Sequence, residues 1–191
     1  MIKLPASLER KLKEMFPTAR ERDQFVTDLV RDAIGEGVET QEEESISVGG
    51  TLHLFTDGGS RGNPGNAAVG IVLEDPSAGK IIREHAECIG TETNNVAEYR
   101  ALIEGLKIAR RYHPNRLVCH LDSELVVKQL NGQYQVKMPA LKVFVDEIAE
   151  LAEEFSFISF VHIPRGDNFR ADALVNKALD SHPAPHYERH A

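Results

Sequence analysis

Four acidic residues are spaced along the sequence at points where one predicted element ends or another begins. Asp57 and Asp122 each end a short run of alternating apolar and polar residues, as expected for a strand. Glu98 and Asp172 fall near the starts of segments with helical spacing. Because strand ends and helix starts meet at one rim of an α/β sheet, we expect the four carboxylates to lie close together there.

Such a group of carboxylates is costly unless a cation neutralises it. Two carboxylates about 5 Å apart repel by roughly 3 kcal/mol at an effective dielectric constant of about 20, so either a cation binds or the carboxyl pKa values rise. Oxygen ligands without cysteine favour Mg²⁺ or Mn²⁺ over Zn²⁺. Two such ions suit in-line phosphoryl chemistry, because one activates water and the other stabilises the leaving oxygen. Taken singly, each acid is also explained as a turn, cap or solvated helix residue; the ordered set of four favours a metal site.

The elements that must position these acids alternate as in an α/β domain. We expect an antiparallel meander of three strands, then a helix capped by Thr93 or Asn94, and then strands and helices in turn. The segment Gly58–Gly65, with four glycines and a proline, is predicted to be a turn that ends the first strand and lets backbone, or something bound to it, come close. The predicted strands span residues 51–57, 67–73, 80–89, 116–122 and 157–163, and the predicted helices span 94–110, 123–132 and 139–155, with a last helix around Asp172.

Length and composition are those of a globular protein with a small appendage. The chain has 191 residues, 41% of them hydrophobic, and a formal net charge of −8. It lacks an apolar run long enough to span a bilayer, and Cys88 and Cys119 have no metal-ligand spacing, so we expect no membrane association and two buried free thiols in a reducing cytoplasm. The acidic balance argues mildly against nucleic-acid binding, but part of the excess lies in residues 36–50, the predicted linker.

The first 35 residues read as two short amphipathic helices. Their order and spacing resemble a ribbon-helix-helix unit, a family that dimerises through a short paired strand and often binds DNA. The alternatives are a homodimer formed through residues 1–35 and a simple helical appendage. We therefore divide the chain into a helical unit at 1–35, an acidic linker at 36–50, a main domain at 51–180 and a flexible tail at 181–191.

The motifs of the main domain resemble type 1 ribonuclease H. They are Thr56-Asp-Gly-Gly-Ser60 with Gly62-Asn-Pro-Gly65, then Thr93-Asn-Asn-Val-Ala-Glu98, Asp122-Ser123 and Asn168-Phe-Arg-Ala-Asp172. The resemblance implies a mixed five-stranded sheet of three antiparallel and then two parallel strands, flanked by helices. It also implies an endonuclease that cuts the RNA strand of RNA–DNA hybrids with two Mg²⁺ or Mn²⁺ ions.

The resemblance also assigns site residues. It makes Asp57, Glu98, Asp122 and Asp172 the metal ligands, with Glu98 also able to accept a hydrogen bond from a ribose 2′-hydroxyl. It places minor-groove contacts at three asparagines, where the hydroxyls of the RNA are displayed. The full set of expected substrate contacts is Gly58, Gly59, Ser60, Asn63, Thr93, Asn94, Asn95, Ser123 and Arg165.

Three features depart from the better-studied members of that family. The segment from Asn131 to Pro139 has no tryptophan and one lysine, so the basic protrusion that grips substrate is missing. Residues 1–50 do not resemble the aromatic, basic hybrid-binding module of that family. His162 stands at the distance of a catalytic loop histidine from Asp172 but falls within the last predicted strand, so it is either catalytic or structural. The acidic charge and the missing protrusion leave a second hypothesis, a nucleic-acid-binding module that does not cleave.

Overall fold

Five strands form one mixed sheet in the computed structural model, which describes residues 50–181. The strand order is β3-β2-β1-β4-β5, with β1 antiparallel to β2 and parallel to β4. β3 pairs antiparallel with β2, and β5 pairs parallel with β4, so the predicted arrangement of three antiparallel and then two parallel strands is confirmed. The strands are β1 Thr51–Gly62, β2 Gly65–Asp75, β3 Lys80–Glu92, β4 Arg116–Leu121 and β5 Ile158–His162.

Four α-helices of the described residues flank the sheet. The first is capped as predicted, because the Thr93 side chain accepts a hydrogen bond from the Val96 N–H at 3.3 Å. Its predicted inner stripe, which runs from Ala97 to Ala109, is fully buried. The helices are α1 Asn94–Ala109, α2 Glu124–Leu130, α3 Pro139–Ala152 and α4 Phe169–Ser181, with short 3₁₀ turns at Arg110–Tyr112 and Arg165–Asn168.

The sheet is covered by helices on both faces. Leu52 and Leu54 of β1 point into the larger core, which they share with Leu102 and Leu106 of α1 and with residues of α3. On the other face, Val175 and neighbouring residues of α4 pack against Ala68 of β2. Among residues 50–181, no helix is both long and apolar enough to cross a membrane.

Part of the chain lies outside the described residues. The chain divides into two units, Met1–Glu44 and Ser45–Ala191. The predicted helical unit at 1–35, its dimerisation, nearly all of the acidic linker and the tail after Ser181 fall outside residues 50–181. These remain predictions.

The two cysteines are free thiols, as the sequence predicts. Cys119 on β4 is completely buried, and burial raises the pKa of its thiol. Cys88 on β3 is half-buried and its Sγ lies 3.1 Å from the Ala178 carbonyl oxygen of α4. The thiols are therefore packing groups in the two hydrophobic layers.

The prediction that β1 ends at Asp57 is wrong. β1 continues through the glycines to Gly62 and pairs with β2 along its whole length, up to the pair Gly62 and Gly65. A Cβ atom at Gly58 would fall far inside van der Waals distance of the Ala97 backbone in α1, and a Cβ at Gly59 would lie 3.0 Å from Val175 of α4. The glycines thus let helices approach both faces of a strand, and tertiary packing overrides their low strand propensity.

Replacing Gly58 with alanine should therefore destabilise the fold strongly. The added methyl group meets backbone atoms that cannot rotate away, so we expect a loss of at least about 3 kcal/mol in the free energy of unfolding. Gly166→Ala is the matched control, since a Cβ there has no neighbour within 4 Å. Urea denaturation of the two variants measures the difference, and equal midpoints would refute the packing role of Gly58.

Candidate active site

Three of the four predicted metal ligands converge at one point. Asp57, Glu98 and Asp122 each offer a carboxylate oxygen, and these oxygens lie within 4.8 Å of one another. Asp57 and Glu98 are only 6% and 8% exposed. The three acids meet as expected, but Asp57 contributes from the middle of β1 and not from a strand end.

The fold positions each of these three acids through its backbone. Asp57 lies within β1, paired with Gly70 of β2. Glu98 lies one turn into α1, directly after Ala97, whose backbone packs against Gly58. Asp122 follows the last residue of β4, the strand parallel to β1. The carboxylates are therefore held by main-chain packing and not by flexible loops.

The electrostatics of this group are those of crowded, buried negative charge. Burial, and then the charges of Asp122 and Asp172, raise the pKa of Asp57 from 3.8 to about 6. Burial, followed by the charges of Asp57 and Asp122, raises the pKa of Glu98 from 4.5 to about 9. Without a cation, the Glu98 carboxyl group is thus protonated at neutral pH.

The three acids fit a hard divalent cation. Glu98 Oε2 and Asp122 Oδ1 are buried and have no hydrogen-bond partner. A buried polar atom without a partner costs free energy that a bound ligand recovers. Because all of the donors are carboxylate oxygens, the group suits Mg²⁺ or Mn²⁺.

The fourth predicted ligand, Asp172, has other partners. It lies on the first turns of α4, close enough to help raise the pKa of Asp57, but it is outside the 4.8 Å group. Arg165 donates from Nη2 to Asp172 Oδ1 at 2.6 Å. Asn176, one turn further along α4, donates from Nδ2 to Asp172 Oδ2 at 2.9 Å.

Two of the predicted minor-groove residues lie side by side. The Asn94 N–H, at the start of α1, donates to Asn63 Oδ1 at 3.3 Å, which ties the turn between β1 and β2 to that helix. Thr93 is the cap of the same helix, and Asn95 is its second residue. The turn and the helix start therefore present their polar groups together.

Among the other predicted substrate contacts, Ser60, Gly58 and Gly59 have structural partners, whereas the Ser123 side chain does not cap its helix. Ser60 donates from Oγ to the Gly62 carbonyl oxygen at 2.6 Å. Ser123 precedes α2 in the cap position, but its side chain makes no capping hydrogen bond, so capping does not explain its side chain. Gly58 and Gly59 carry the helix contacts described above. Contact of these residues with substrate remains a prediction.

His162 is the last residue of β5 and is exposed. It lies near Glu124 at the start of α2, whose carboxyl pKa is lowered chiefly by a hydrogen bond from Lys128 and slightly by His162. The position within the strand agrees with the sequence, and a catalytic role for His162 remains a prediction.

The segment that replaces the basic protrusion borders a groove of about 610 Å³ next to Asn95. Its lining includes the apolar side chains of Leu125 and Leu141 together with several amide side chains. Tyr134 and Met138 of the segment are about half exposed. The complete lining is Asn95, Leu125, Gln129, Gln133, Tyr134, Gln135, Lys137, Met138 and Leu141.

Sequence reasoning missed Asn168 as a site residue. This side chain is 1% exposed, and its Nδ2 donates to the Thr56 carbonyl oxygen at 2.9 Å. The bond joins the turn Arg165–Asn168 to β1 directly before Asp57. The signal in the sequence was the position of Asn168 within the last motif, four residues before Asp172.

Comparison with known proteins identifies the family. Residues 55–178 match the family model described as reverse transcriptase-like. The chain is 46% identical over 132 residues to the ribonuclease HI of Halobacterium salinarum, which is 69% of this chain and 66% of that protein. The crystal structure of the Halobacterium salinarum RNase H1 superposes with a TM-score of 0.67 at 45% identity, covering 69% of this chain and 99% of the other. The chain belongs to the ribonuclease H family.

A second solved relative was determined with nucleic acid bound. LC11-RNase H1, in complex with an RNA/DNA hybrid, has a TM-score of 0.66 and 42% identity over 70% of this chain and 99% of its own. The chain spans just under two thirds of the curated Halobacterium protein and 35% of the bifunctional protein Rv2228c of Mycobacterium tuberculosis. The relatives thus extend beyond the shared ribonuclease H domain.

The crowded carboxylates predict that the cation-free ribonuclease H domain loses stability as pH rises. Their pKa values are higher in the folded than in the unfolded chain, so between about pH 4 and pH 9 the unfolded chain releases protons first. The rise in the pKa of Asp57 corresponds to a destabilisation of about 3 kcal/mol at pH values above both the unfolded-state and the folded-state pKa. Asp57→Asn should therefore raise the free energy of unfolding at pH 8 by about that amount.

Urea denaturation between pH 5 and pH 8 in the presence of a chelator measures this effect. Glu150→Gln, which removes an exposed carboxylate of α3, is the control and should leave the slope with pH unchanged. A wild-type protein that becomes more stable from pH 5 to pH 8 would contradict the prediction.

Asn168 yields a separate prediction for the ribonuclease H domain. Asn168→Ala leaves the Thr56 carbonyl without this partner and opens a small cavity, so we expect a loss of about 2 kcal/mol in the free energy of unfolding. Asn176→Ala, which removes an exposed amide of α4, should cost less than about 1 kcal/mol. Thermal unfolding of the two variants in the presence of a chelator compares their stabilities. If Asn168→Ala loses less stability than Asn176→Ala, Asn168 does not anchor the turn to β1.

Proposed function

We propose that this chain is an endonuclease that hydrolyses the RNA strand of RNA–DNA hybrids with the help of divalent cations. The observation that carries the proposal is the buried group of three carboxylates, two of which have oxygen atoms without partners. A purely binding protein gains nothing from such a costly arrangement, whereas a hydrolase of phosphodiesters needs it. The relative LC11-RNase H1, solved with an RNA/DNA hybrid, supports the same substrate class.

The proposed ligand set is Asp57, Glu98, Asp122 and Asp172, holding two Mg²⁺ or Mn²⁺ ions. The chemistry supplied by the bound ions is activation of a water molecule and neutralisation of the departing oxygen. Asp57 stands at the centre of the set, because its pKa responds to both Asp122 and Asp172. In the reaction a water oxygen bonds to phosphorus, the bond from phosphorus to one ribose oxygen breaks, and that oxygen receives a proton.

Selection of RNA is proposed to depend on the α1 side of the site. Glu98 can accept a hydrogen bond from a 2′-hydroxyl, which DNA lacks. Asn63, Asn94 and Asn95 lie on the adjoining turn and helix start, where amide groups can read the minor groove by hydrogen bonds. Neutral amides here avoid the long-range attraction to any polyanion that basic residues would give.

Two further residues complete the proposal. Arg165 is exposed beside Asp172 and can bind a phosphate of the scissile strand through its planar guanidinium group. His162 is proposed to assist proton transfer from the edge of the site.

The two unpaired thiols fit a reducing compartment, which we propose to be the cytoplasm.

Asp57→Asn tests the function directly. With a labelled RNA–DNA hybrid and Mg²⁺ or Mn²⁺, we expect the variant to lose at least about a thousand-fold in cleavage rate, because the shared ligand is gone while the shape is kept. Asp146→Asn, an exposed change on α3, is the control and should cleave at the wild-type rate.

The same assay separates cleavage from simple binding. Double-stranded RNA and single-stranded DNA serve as competing substrates, and hybrid binding is measured with chelator present. If Asp57→Asn retains activity, the proposed site is wrong. If the wild-type protein binds hybrid but never cuts it with either ion, the chain is the non-cleaving module of the second hypothesis.

A further inference from the structure

We propose that Arg165 is a latch that holds Asp172 away from cation binding until a substrate phosphate takes the guanidinium group. The inference rests on the proposed function and adds an order of events to it. Asp57, Glu98 and Asp122 are ready for a cation in the free protein, whereas Asp172 becomes available only after Arg165 exchanges its partner. The ligand set is thus completed by substrate.

Both carboxylate oxygens of Asp172 accept hydrogen bonds. Arg165 Nη2 lies 2.6 Å from Oδ1, and Asn176 Nδ2 lies 2.9 Å from Oδ2. The second donor also bonds the Asp172 main-chain carbonyl at 2.9 Å, which fixes its direction. A cation at Asp172 therefore has to displace a donor, and the charged one opposes it most.

The other three acids present the opposite situation. Glu98 Oε2 and Asp122 Oδ1 are buried without partners. Carboxylate oxygens of these two acids and of Asp57 lie within 4.8 Å of one another, so a cation entering there offsets their crowding. Asp172 is already ion-paired with Arg165, so a cation there gains less.

Arg165 can change partners at low cost. Its side chain is 78% exposed and extends from the short turn Arg165–Asn168. An exposed ion pair contributes at most about 1 kcal/mol. A phosphodiester offers the guanidinium group two oxygens in a planar, bidentate arrangement, which is a stronger interaction. Substrate therefore outcompetes Asp172 for Arg165.

The nearby Arg170 provides a matched control. Arg170 is the second residue of α4, is half exposed and carries the same charge as Arg165. Its ion-pair partner, however, is Glu84 of β3 at 3.9 Å. Removing it changes the net charge by the same amount as removing Arg165, without freeing Asp172.

Calorimetric titration of Mn²⁺ into the full chain without nucleic acid tests the latch. For Asp172→Asn we expect less than a two-fold change in affinity, because Asp172 is occupied. Arg165→Gln should tighten the weaker binding event about five-fold, the factor that an ion pair of about 1 kcal/mol can supply, and Arg170→Gln should change it less than two-fold. In the double variant Arg165→Gln with Asp172→Asn, most of that gain should disappear. Thermal unfolding checks that each variant is folded.

Two results would overturn the latch. One is a loss of Mn²⁺ affinity in Asp172→Asn as large as in Asp122→Asn, which would make Asp172 a ligand in the free protein. The other is a double variant that keeps the full gain, since the effect would then be one of general charge.

A binding measurement tests the exchange itself. With chelator present, Arg165→Gln should weaken binding of an RNA–DNA hybrid at least five-fold more than Arg170→Gln, and equal losses would exclude the exchange. The Mn²⁺ titrations contain no nucleic acid, so their outcome is separate from the test of hybrid cleavage. If the protein cleaves hybrid but the Mn²⁺ titrations contradict the expected changes, the proposed function stands and only the latch is refuted.

Discussion

Close approach of helix backbones to the central strands is the constraint on which the site depends. A side chain at Gly58 would collide with the Ala97 backbone, and one at Gly70 would collide with the Ala171 carbonyl oxygen. Each of these alanines directly precedes a predicted ligand, Glu98 or Asp172. The distances between the carboxylates are thus set by these direct contacts between a strand glycine and the backbone of a helix alanine, with no side chain between them.

This arrangement explains how the fold tolerates its own repulsion. Three acids are held together although burial and mutual charge raise the pKa values of Asp57 and Glu98. The mutual repulsion of the acids is resisted by the main-chain contacts of β1 with its neighbouring helices, which two hydrophobic layers support. A site on loops would open to relieve the charge, whereas one fixed between β1 and α1 can relieve it only by taking up protons or a cation.

Much of this organisation was predictable from the sequence, and the exceptions have physical causes. The order of strands and the four acids follow from alternation, helical spacing and the family motifs. The path of β1 past Asp57 did not, because glycine content indicates a turn unless one knows that helices will cover both faces of the strand. The role of Asn168 was equally hidden, since its partner is the backbone of Thr56, 112 residues away. Contacts made by missing side chains or by main-chain atoms leave no pattern of residue types.

The net charge of −8 raises the question of how such a chain would hold the proposed polyanionic substrate. The segment that replaces the basic protrusion borders a groove with amide and apolar lining and one lysine, so it offers hydrogen bonds and contact area more than charge. Under the proposed function, the acids of the site would repel phosphates until cations bind, after which the same residues would attract the backbone through the bound charge. Affinity and catalysis would then depend on the same ions. In a protein with a strongly basic protrusion, nucleic acid binds tightly whether or not the site is loaded. Under the proposed function, this chain would bind hybrid more weakly without cations, through residues such as Arg165, and unproductive complexes would be disfavoured.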